Sequence, residues 1–387
     1  MSGVAPPEGL GTAVTGGFHG SVALVLASST GGIGQHVAAL AEGLAAAGCA
    51  VTVCGPALTE TKFGFTGRGA RFIPVEIPAN PTPGDLRAVR SLRQVLAAVH
   101  PVVVHAHGLR AGFAVALAKP ACPTVVTWHN APLRGGVRGG VHAMLERIVA
   151  RASTVSLGAS TDLVDRARAA GAADARLWEV AAPVRAAAHR PRSGVRAELG
   201  VGRSDPLILS VGRLHPQKRY DLLVKAAARW RGELPSATVA IAGTGPSYLD
   251  LAAQISDEHA RVRLLGHRED VPDLIGAADV AVVSSDWEAR QLFAQEALAG
   301  GLPLVATDVG GLPELVGDAA VLIAPGSAEA IRAAVVDLVG DPERRARLAE
   351  RGRQRAATWP GPDDMLRRLL RLYGDLADRA PAAAGRS

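Results

Sequence analysis

Two glutamates eight residues apart flank the predicted start of a helix in the second half of the sequence. Glu288 lies in the loop after a short apolar strand, and Glu296 lies in the second turn of a helix that we expect to begin near Gln291. The first backbone N–H groups of this helix, near Leu292 and Phe293, have no acceptor within the helix and can donate to a phosphate. Carboxylates accept hydrogen bonds from sugar and ribose hydroxyls. The segment therefore predicts a site for a sugar nucleotide.

A basic loop after an earlier strand can supply the charge that holds a diphosphate. Arg213 and Lys218 stand five residues apart in SVGRLHPQK, directly after a predicted strand. Arg can donate two parallel hydrogen bonds to one phosphate, and Lys acts as a point charge on the other. The next strand ends in the small-residue turn AGTGP, which contains Gly243 and Gly245. We expect both loops to face the same cleft.

Small residues also follow the first strand of the N-terminal half. The sequence SSTGGIGQH places Gly31 and Gly32 between this strand and a helix, where a backbone without side chains can approach a ligand closely. The loop lacks the G-x-G-x-x-G pattern, and no acidic residue ends the second strand at Cys54, so an NAD-dependent dehydrogenase is disfavoured. We expect the loop to face an anion or a hydroxyl-rich group.

Three histidines at predicted strand ends leave a second chemistry open. His105 and His107 share one face of their strand, and a neighbouring parallel strand can bring His129 close to them. A metal site, as in a metallohydrolase, is one interpretation. It would need further Asp, Glu or His ligands, and the nearby loops offer Gly, Arg, Asn and Pro instead. We therefore predict no metal and an activity that is insensitive to EDTA.

Short apolar strands alternate with longer amphipathic helices along the chain, which predicts βαβ units and parallel sheets. We expect an α/β protein with two Rossmann-like domains that face each other across a deep cleft, at residues 21–185 and 204–360. A helix over 362–378 can pack back on the first domain, and residues 1–20 and 379–387 are expected to be disordered. Predicted strands are 22–28, 50–54, 71–77, 102–107, 124–129, 154–157, 207–211, 238–242, 262–265, 280–284, 304–307 and 321–323. Predicted helical stretches include 35–47, 85–99, 141–151, 161–170, 220–230 and 341–375.

Composition limits the partners. The 387 residues include 42 Lys and Arg against 36 Asp and Glu, a net charge of +6, and 48% are hydrophobic. The basic residues are scattered rather than clustered with aromatic residues, so we predict no nucleic acid partner. No apolar stretch reaches the roughly 18 residues that cross a bilayer. We expect a cytoplasmic protein, and its charge leaves peripheral contact with an inner membrane face open.

Eight motifs in a fixed order resemble the GT-B-fold retaining glycosyltransferases of family 4. The resemblance covers about residues 20–375. The motifs are GGIGQH, HAHG, TWHN, SVGRLHPQK, AGTGP, LLGH, the E-x7-E pair and ALAGGLPLVATDVGGLPELV.

The resemblance implies a transferase (EC 2.4 type) that moves a sugar from a UDP- or GDP-sugar to a hydroxyl acceptor. It implies retention of the anomeric configuration, no metal and no cofactor besides the donor. The acceptor, whether lipid-linked, a polysaccharide end or a small molecule, stays open, within glycan or cell-envelope synthesis. Two alternatives remain: a degenerate sugar-nucleotide-binding protein without turnover, and a GT-B sugar-nucleotide epimerase.

The family resemblance also implies roles for individual residues. Arg213 and Lys218 would neutralise the donor diphosphate, Glu296 would bind the ribose, and Glu288 would contact the hexose beside His129. The catalytic residues would thus be His129, Arg213, Lys218 and Glu288. The donor site would further include Gly212, Gly243, Gly245, His267, Arg268, Leu292, Phe293 and Glu296, with the backbone near His267 and Arg268 reading the base. Gly31, Gly32 and His107 would border the acceptor and the phosphate.

The loop after Glu288 departs from the family pattern. Ala289, Arg290 and Gln291 stand where the family usually has Gly or Ser, then Phe and Gly. A side chain in place of Gly can change how closely the backbone approaches the diphosphate. We expect Arg290 to replace part of that contact.

Overall fold

The computed structural model of the chain describes residues 18–29, 31–80, 84–131, 136–180 and 188–379. These residues form two parallel β-sheets, and apolar clusters cover both faces of each sheet. Burial on both faces explains why the strands are short and almost entirely apolar. The prediction of an α/β protein with two Rossmann-like domains is confirmed.

The N-terminal sheet has seven strands in the order β3-β2-β1-β4-β5-β6-β7. Strand β1 lies in the interior of the sheet with β2 on one side and β4 on the other, so the carboxyl ends of β1 and β4 flank a topological switch point. The strands are β1 (Ser21–Leu26), β2 (Ala50–Gly55), β3 (Arg71–Pro74), β4 (Val103–His107), β5 (Thr124–Trp128), β6 (Val155–Gly158) and β7 (Ala175–Leu177). The helices are α1 (Gly32–Ala46), α2 (Ala57–Phe63), α3 (Asp85–Val99), α4 (Leu109–Ala118), α5 (Gly136–Ala152) and α6 (Thr161–Ala169).

The C-terminal sheet has six strands in the order β10-β9-β8-β11-β12-β13. Its central strand β8 repeats the switch point, here between β9 and β11. The strands are β8 (Leu207–Val211), β9 (Thr238–Ala242), β10 (Val262–Gly266), β11 (Val280–Val283), β12 (Leu304–Thr307) and β13 (Ala320–Ile323). The helices are α7 (Arg192–Glu198), α8 (Tyr220–Arg229), α9 (Tyr248–Asp257), α10 (Val271–Ala277), α11 (Leu292–Ala299), α12 (Leu312–Val316), α13 (Ala328–Gly340) and α14 (Pro342–Ala357).

The last helix returns to the N-terminal domain. The charged stretch predicted as helical over 341–375 consists of two helices, α14 and α15 (Pro362–Arg379). They are separate because Pro360 cannot continue a helix. Helix α14 packs on α11 and α13, whereas α15 packs on α1 and β4. The chain therefore crosses from one domain to the other at residues 358–361.

Other elements differ from the sequence prediction in extent. Strand β3 ends at Pro74 rather than at Ile77, because the Ile77 N–H turns back to the Val75 carbonyl oxygen (2.9 Å). The predicted connection over 183–205 contains helix α7, whose buried Arg196 donates to the carbonyl oxygen of Ala277 (2.9 Å). Helix α4 was not predicted, because its sequence LRAGFAVALA has almost no polar face to show a helical period.

The chain termini fall partly outside the described residues, at 1–17 and 380–387. The predicted disordered lead-in over 1–20 is wrong at its end, since Phe18 is buried against the Tyr373 ring, with centroids 5.8 Å apart. Among the helices of the described ranges, none combines the length and the apolar character that a membrane crossing requires.

Candidate active site

The two loops that the sequence predicts to bind a diphosphate lie side by side. Strands β8 and β11 are neighbours, and their carboxyl ends lead into the loops that carry Lys218 and Glu288. The loops are tied together by the Gln217 side chain, which donates to the Trp287 carbonyl oxygen (2.7 Å). The Asp286 N–H donates back to the Gln217 carbonyl oxygen (2.9 Å). The switch point of the C-terminal sheet therefore brings the two predicted motifs together.

An ion pair joins the two loops at this point. Lys218 Nζ lies 2.5 Å from Glu288 Oε1, and the Ser285 hydroxyl donates to the same oxygen at 2.6 Å. Glu288 is 8% exposed, so its charge is compensated by a short, directed contact. Lys218 thus has a carboxylate partner next to the predicted diphosphate position, and Ser285 is a site residue that the sequence did not single out. Arg213, in the same loop, is exposed at the domain surface.

The neighbouring backbone explains the two glycines of the AGTGP turn. A Cβ atom on Gly243 would lie 1.9 Å from the Gly212 carbonyl oxygen, and one on Gly245 would lie 2.3 Å from the Leu214 carbonyl oxygen. The Leu214 N–H also donates to the Thr244 carbonyl oxygen (3.0 Å). Close packing of the two loops therefore requires glycine at both positions, besides any approach of a ligand.

Helix α11 begins one residue after the predicted position. Gln291 is its N-cap, and the side-chain Oε1 of Gln291 accepts from the Ala294 N–H (2.5 Å). This cap satisfies the third helical N–H and leaves the first two, of Leu292 and Phe293, without an acceptor inside the helix. Glu296 lies in the second turn and is partly exposed. Gln291 can therefore cap the helix where the family pattern has glycine.

The Gly31-Gly32 loop lies opposite this helix start. A Cβ atom on Gly32 would be 3.7 Å from the Leu292 Cδ1 atom, whereas one on Gly31 would meet nothing within 4 Å. Both glycines are exposed. The loop of the N-terminal domain and the helix start of the C-terminal domain therefore face each other across a narrow gap.

The side chains of the LLGHRED segment differ in their availability. Arg268 donates to both carboxylate oxygens of Asp270 (2.7 and 2.6 Å) and to Glu198 (2.7 Å). The hydrogen bond to Asp270 is the main reason that the pKa of Arg268 is raised. His267 is exposed. The Arg268 guanidinium is therefore committed to two carboxylates, whereas the His267 side chain and the backbone of this segment remain available to a ligand.

Four histidines gather at the facing edge of the N-terminal domain. The His107 ring stacks on His105 (centroids 4.2 Å apart), and His107 Nδ1 lies 3.3 Å from His129 Nε2. The ring of His36, in α1, lies 5.5 Å from both His107 and His129. Burial lowers the pKa of all four, to about 4 for His36 and about 3 for His105. The cluster is therefore neutral near pH 7. His36 was not predicted as part of it, although it ends the GGIGQH motif.

Three histidines of the cluster bring ring nitrogens close together, as the ligands of a metal ion would be. Ring nitrogens of His36, His107 and His129 all lie within 4.8 Å of one another, so His36 replaces His105 in the trio that the sequence suggested. A tetrahedral zinc site with bonds of about 2.0–2.1 Å would need all these nitrogens about 3.4 Å apart. Ligating histidines usually donate their second ring N–H to a fixed acceptor. The buried His107 Nε2 has no hydrogen-bond partner among the described residues, so this outer support is absent there.

The loop around Glu288 also contacts the N-terminal domain. The Trp287 indole N–H donates to Asp162 (2.8 Å), and Trp287 and Ala289 pack in an apolar cluster of the N-terminal domain. A Cβ atom on Gly310 would lie 2.1 Å from the Glu288 carbonyl oxygen, so the loop after β12 packs directly against the backbone of the Glu288 loop. The sequence did not predict these contacts, because each one joins residues more than twenty positions apart.

Arg290 does not point toward the predicted diphosphate position. Its guanidinium donates to Glu179 (3.1 Å) and lies 5.9 Å from the centre of the Trp359 ring, at the crossing between the domains. The side chain is 3% exposed, and burial lowers its pKa. The expected replacement of a phosphate contact by Arg290 is therefore wrong, because Glu179 and Trp359 hold the side chain at the domain crossing.

Comparison with known proteins identifies the class. A Glycosyl transferase 4-like domain matches residues 31–183, and Glycosyl transferases group 1 matches residues 192–355. The D-inositol 3-phosphate glycosyltransferase of Salinispora tropica is 35% identical over 334 residues, which cover 76% of this chain and 67% of that protein. A glycogen synthase of Mycobacterium tuberculosis is 33% identical over 281 residues, covering 66% of this chain and 64% of that protein.

Solved structures share the fold. Anabaena HepE, crystallised with UDP and glucose, superposes with a TM-score of 0.79 at 21% identity, covering 92% of this chain and all of HepE. Sucrose-phosphate synthase from Thermosynechococcus elongatus gives a TM-score of 0.75 at 20% identity, covering 92% of this chain and 99% of that one. The fold is thus that of the GT-B glycosyltransferases. The chain belongs to their group 1 family.

Proposed function

We propose that this chain transfers a sugar from a UDP- or GDP-sugar to a hydroxyl acceptor, with retention of the anomeric configuration and without a metal. The observation that carries the proposal is the convergence of Lys218 and Glu288 beside the start of α11. The Gly31-Gly32 loop faces this helix start from the other domain. A cation, an acceptor for sugar hydroxyls and helix-start amides then surround one position between two domains.

In the proposed site, the diphosphate lies against Lys218 and the N–H groups of Leu292 and Phe293. Lys218 is shared between Glu288 and the phosphate, so the developing charge of the leaving group meets a cation that is already oriented. Exposed Arg213 adds a second cation as the domains close. Glu296 accepts from the ribose hydroxyls, and Glu288 accepts from the hexose through the carboxylate oxygen that Lys218 leaves available.

The reaction follows from these roles. As the bond from the anomeric carbon to the diphosphate breaks, the leaving oxygen takes the electron pair and is stabilised by Lys218, Arg213 and the helix amides. The acceptor hydroxyl attacks from the same face, and its proton passes to the leaving diphosphate, which preserves the anomeric configuration. Neutral His129 lies on the side of the N-terminal domain, and its hydrogen bond to the donor sugar orients that sugar.

Named relatives support a nucleotide-sugar donor. HepE was crystallised with UDP and glucose, and one relative is named a GDP-mannose-dependent mannosyltransferase. These names are the reason to test both UDP- and GDP-sugars. The acceptor would enter along the Gly31-Gly32 loop, which borders the proposed sugar position. We also propose that the protein works in the cytoplasm, where nucleotide sugars are available.

The test is a donor screen of the purified full chain. UDP- and GDP-sugars are incubated with candidate acceptors, and nucleotide release and product are measured with and without EDTA. We expect acceptor-dependent release that EDTA leaves intact and that Glu296→Ala lowers at least about tenfold, because the lost hydrogen bonds to ribose weaken transition-state binding.

Other outcomes distinguish the alternatives. Tight binding of a sugar nucleotide without any release would favour a binding protein without turnover, and an altered free sugar nucleotide would favour an epimerase. Loss of activity in EDTA that zinc restores would overturn the metal-independent mechanism and return attention to His36, His107 and His129.

A further inference from the structure

The last helix places a tyrosine from the end of the chain under the N-terminal sheet. Tyr373 of α15 is fully buried, and its hydroxyl lies 2.6 Å from His105 Nδ1. The two residues are 268 positions apart in the chain. Burial keeps the pKa of Tyr373 well above its usual range, so the phenol stays protonated and can donate this hydrogen bond. Helix α15 therefore places a polar group next to His105 of strand β4.

His105 is held at both ring nitrogens. Its Nε2 lies 2.6 Å from the Thr127 hydroxyl on neighbouring strand β5, opposite the bond to Tyr373. With the phenol donating to Nδ1, the proton of the neutral ring lies on Nε2 and donates to Thr127. A ring bonded at both nitrogens has one favoured tautomer and one favoured orientation.

The fixed ring of His105 supports the two histidines nearer the other domain. His107 stacks on it at 4.2 Å with 28° between the ring planes, and His107 Nδ1 lies 3.3 Å from His129 Nε2. His105 and His107 are 1% and 2% exposed, whereas His129 is partly exposed. A continuous set of contacts thus runs from Tyr373 to the residue proposed to meet the donor sugar.

We propose that Tyr373 is a positioning residue for the His107–His129 pair of the proposed transferase. Tyr373 has no exposed surface and acts only through His105, whose tautomer and ring plane it sets. This inference rests on the proposed function for its catalytic consequence, whereas the effect on the histidines does not depend on any reaction. It gives the crossing of α15 back to the first domain a role in the site as well as in packing.

The test variant is Tyr373→Phe, which keeps the ring and removes only the hydroxyl. We expect kcat to fall about tenfold with the donor KM changed less than twofold, the size of one lost hydrogen bond that orients a reacting group. Nitrogen NMR of histidine labelled in both ring positions should show changed ring signals for His105, His107 and His129 in this variant.

Two further variants separate positioning from packing. Thr127→Val removes the opposite hydrogen bond, and its effect on kcat should not add to that of Tyr373→Phe, because both act on one ring. Leu376→Ala removes buried apolar volume from the same helix and keeps the Tyr373 hydroxyl, so we expect a lower melting temperature and an unchanged kcat.

Specific results would overturn the proposal. Ring signals that change at His105 alone would show that the contacts do not carry to His129. A loss of kcat in Leu376→Ala as large as in Tyr373→Phe would show that α15 acts only by packing. If the unmodified protein transfers no sugar, the proposed function fails, and the NMR comparison still decides whether Tyr373 orders the three histidines.

Discussion

The C-terminal and N-terminal domains present differently charged faces to each other. The C-terminal face has a short ion pair, Lys218 with Glu288, beside the start of α11. The N-terminal face has four histidines whose pKa values burial holds low, so that they are neutral near pH 7. In the proposed function, the Lys218 cation meets the negative diphosphate, and the neutral face meets a sugar ring and an uncharged hydroxyl. The charge of the two faces therefore agrees with the proposed donor and acceptor sides.

Removal of the cation from the charged face should have the largest effect. Lys218→Ala leaves Glu288 buried without its cationic partner and removes one of the two cations proposed for the diphosphate. We expect transfer to fall at least about tenfold and the free energy of unfolding to drop by about 1–3 kcal/mol. Initial rates and urea unfolding measure the two effects. Lys225→Ala, at an exposed lysine of α8, is the matched control and should change neither. Near-normal transfer by Lys218→Ala would remove the charged face from the mechanism.

The neutral face should contribute stability that depends on pH. The pKa of His36 is lowered by burial from 6.5 to about 4. Because the pKa of His36 is lower in the folded chain, the unfolded chain binds the proton preferentially as the pH falls from about 6.5 to about 4. The contribution of neutral His36 to the free energy of unfolding is therefore full above about pH 6.5 and is lost by about pH 4. We expect His36→Gln to reduce the loss of stability between pH 7 and pH 5 by about 1 kcal/mol, a value that allows for partial exposure of the ring.

Urea unfolding at the two pH values measures this difference. His259→Asn removes an exposed histidine outside the cluster, at a residue with φ of 49° that Asn tolerates, and should leave the pH dependence unchanged. Equal pH dependence in the unmodified protein and His36→Gln would show that the histidine face is not held neutral by burial.

Arg290 should have the smallest effect, although its position in the sequence suggests a large one. Its guanidinium lies with Glu179 and Trp359, away from the ion pair, and two of its nitrogens are buried without a hydrogen-bond partner among the described residues. We therefore expect Arg290→Met to change the free energy of unfolding by less than about 1 kcal/mol and to leave the donor KM within about twofold. Glu179→Gln, which removes the charge of the other member of the Arg290–Glu179 ion pair, is the matched control and should also leave the donor KM within about twofold. A tenfold rise of the donor KM in Arg290→Met alone would show that Arg290 reaches the diphosphate during catalysis.

Much of the charged face could be predicted because its determinants are local. Strands β8, β9 and β12 and helix α3 have the predicted bounds, since apolar runs between turn residues define the strands and an amphipathic pattern defines the helix. The start of α11 falls within one residue of its predicted position, where the Gln291 side chain caps the helix. Sheet order then places the Lys218 and Glu288 loops together without further information.

The neutral face could be predicted only in part, because its contacts join distant segments. His36 joins the cluster because of the way α1 is oriented on the sheet. Tyr373 reaches His105 from α15, which comes after the C-terminal domain in the chain. Neither contact leaves a periodic pattern in the sequence. Arg290 was assigned to the wrong contact for the same reason. Its partners Glu179 and Trp359 lie far away in the chain, so the local motif suggested a phosphate instead.

A crystal structure of the protein with bound UDP or GDP tests the central claim most directly. The account predicts the terminal phosphate within hydrogen-bond distance of Lys218 Nζ and of the backbone N–H groups of Leu292 or Phe293, with the ribose at Glu296. A nucleotide bound elsewhere, or bound here with its phosphates turned away from Lys218 and the start of α11, would contradict it.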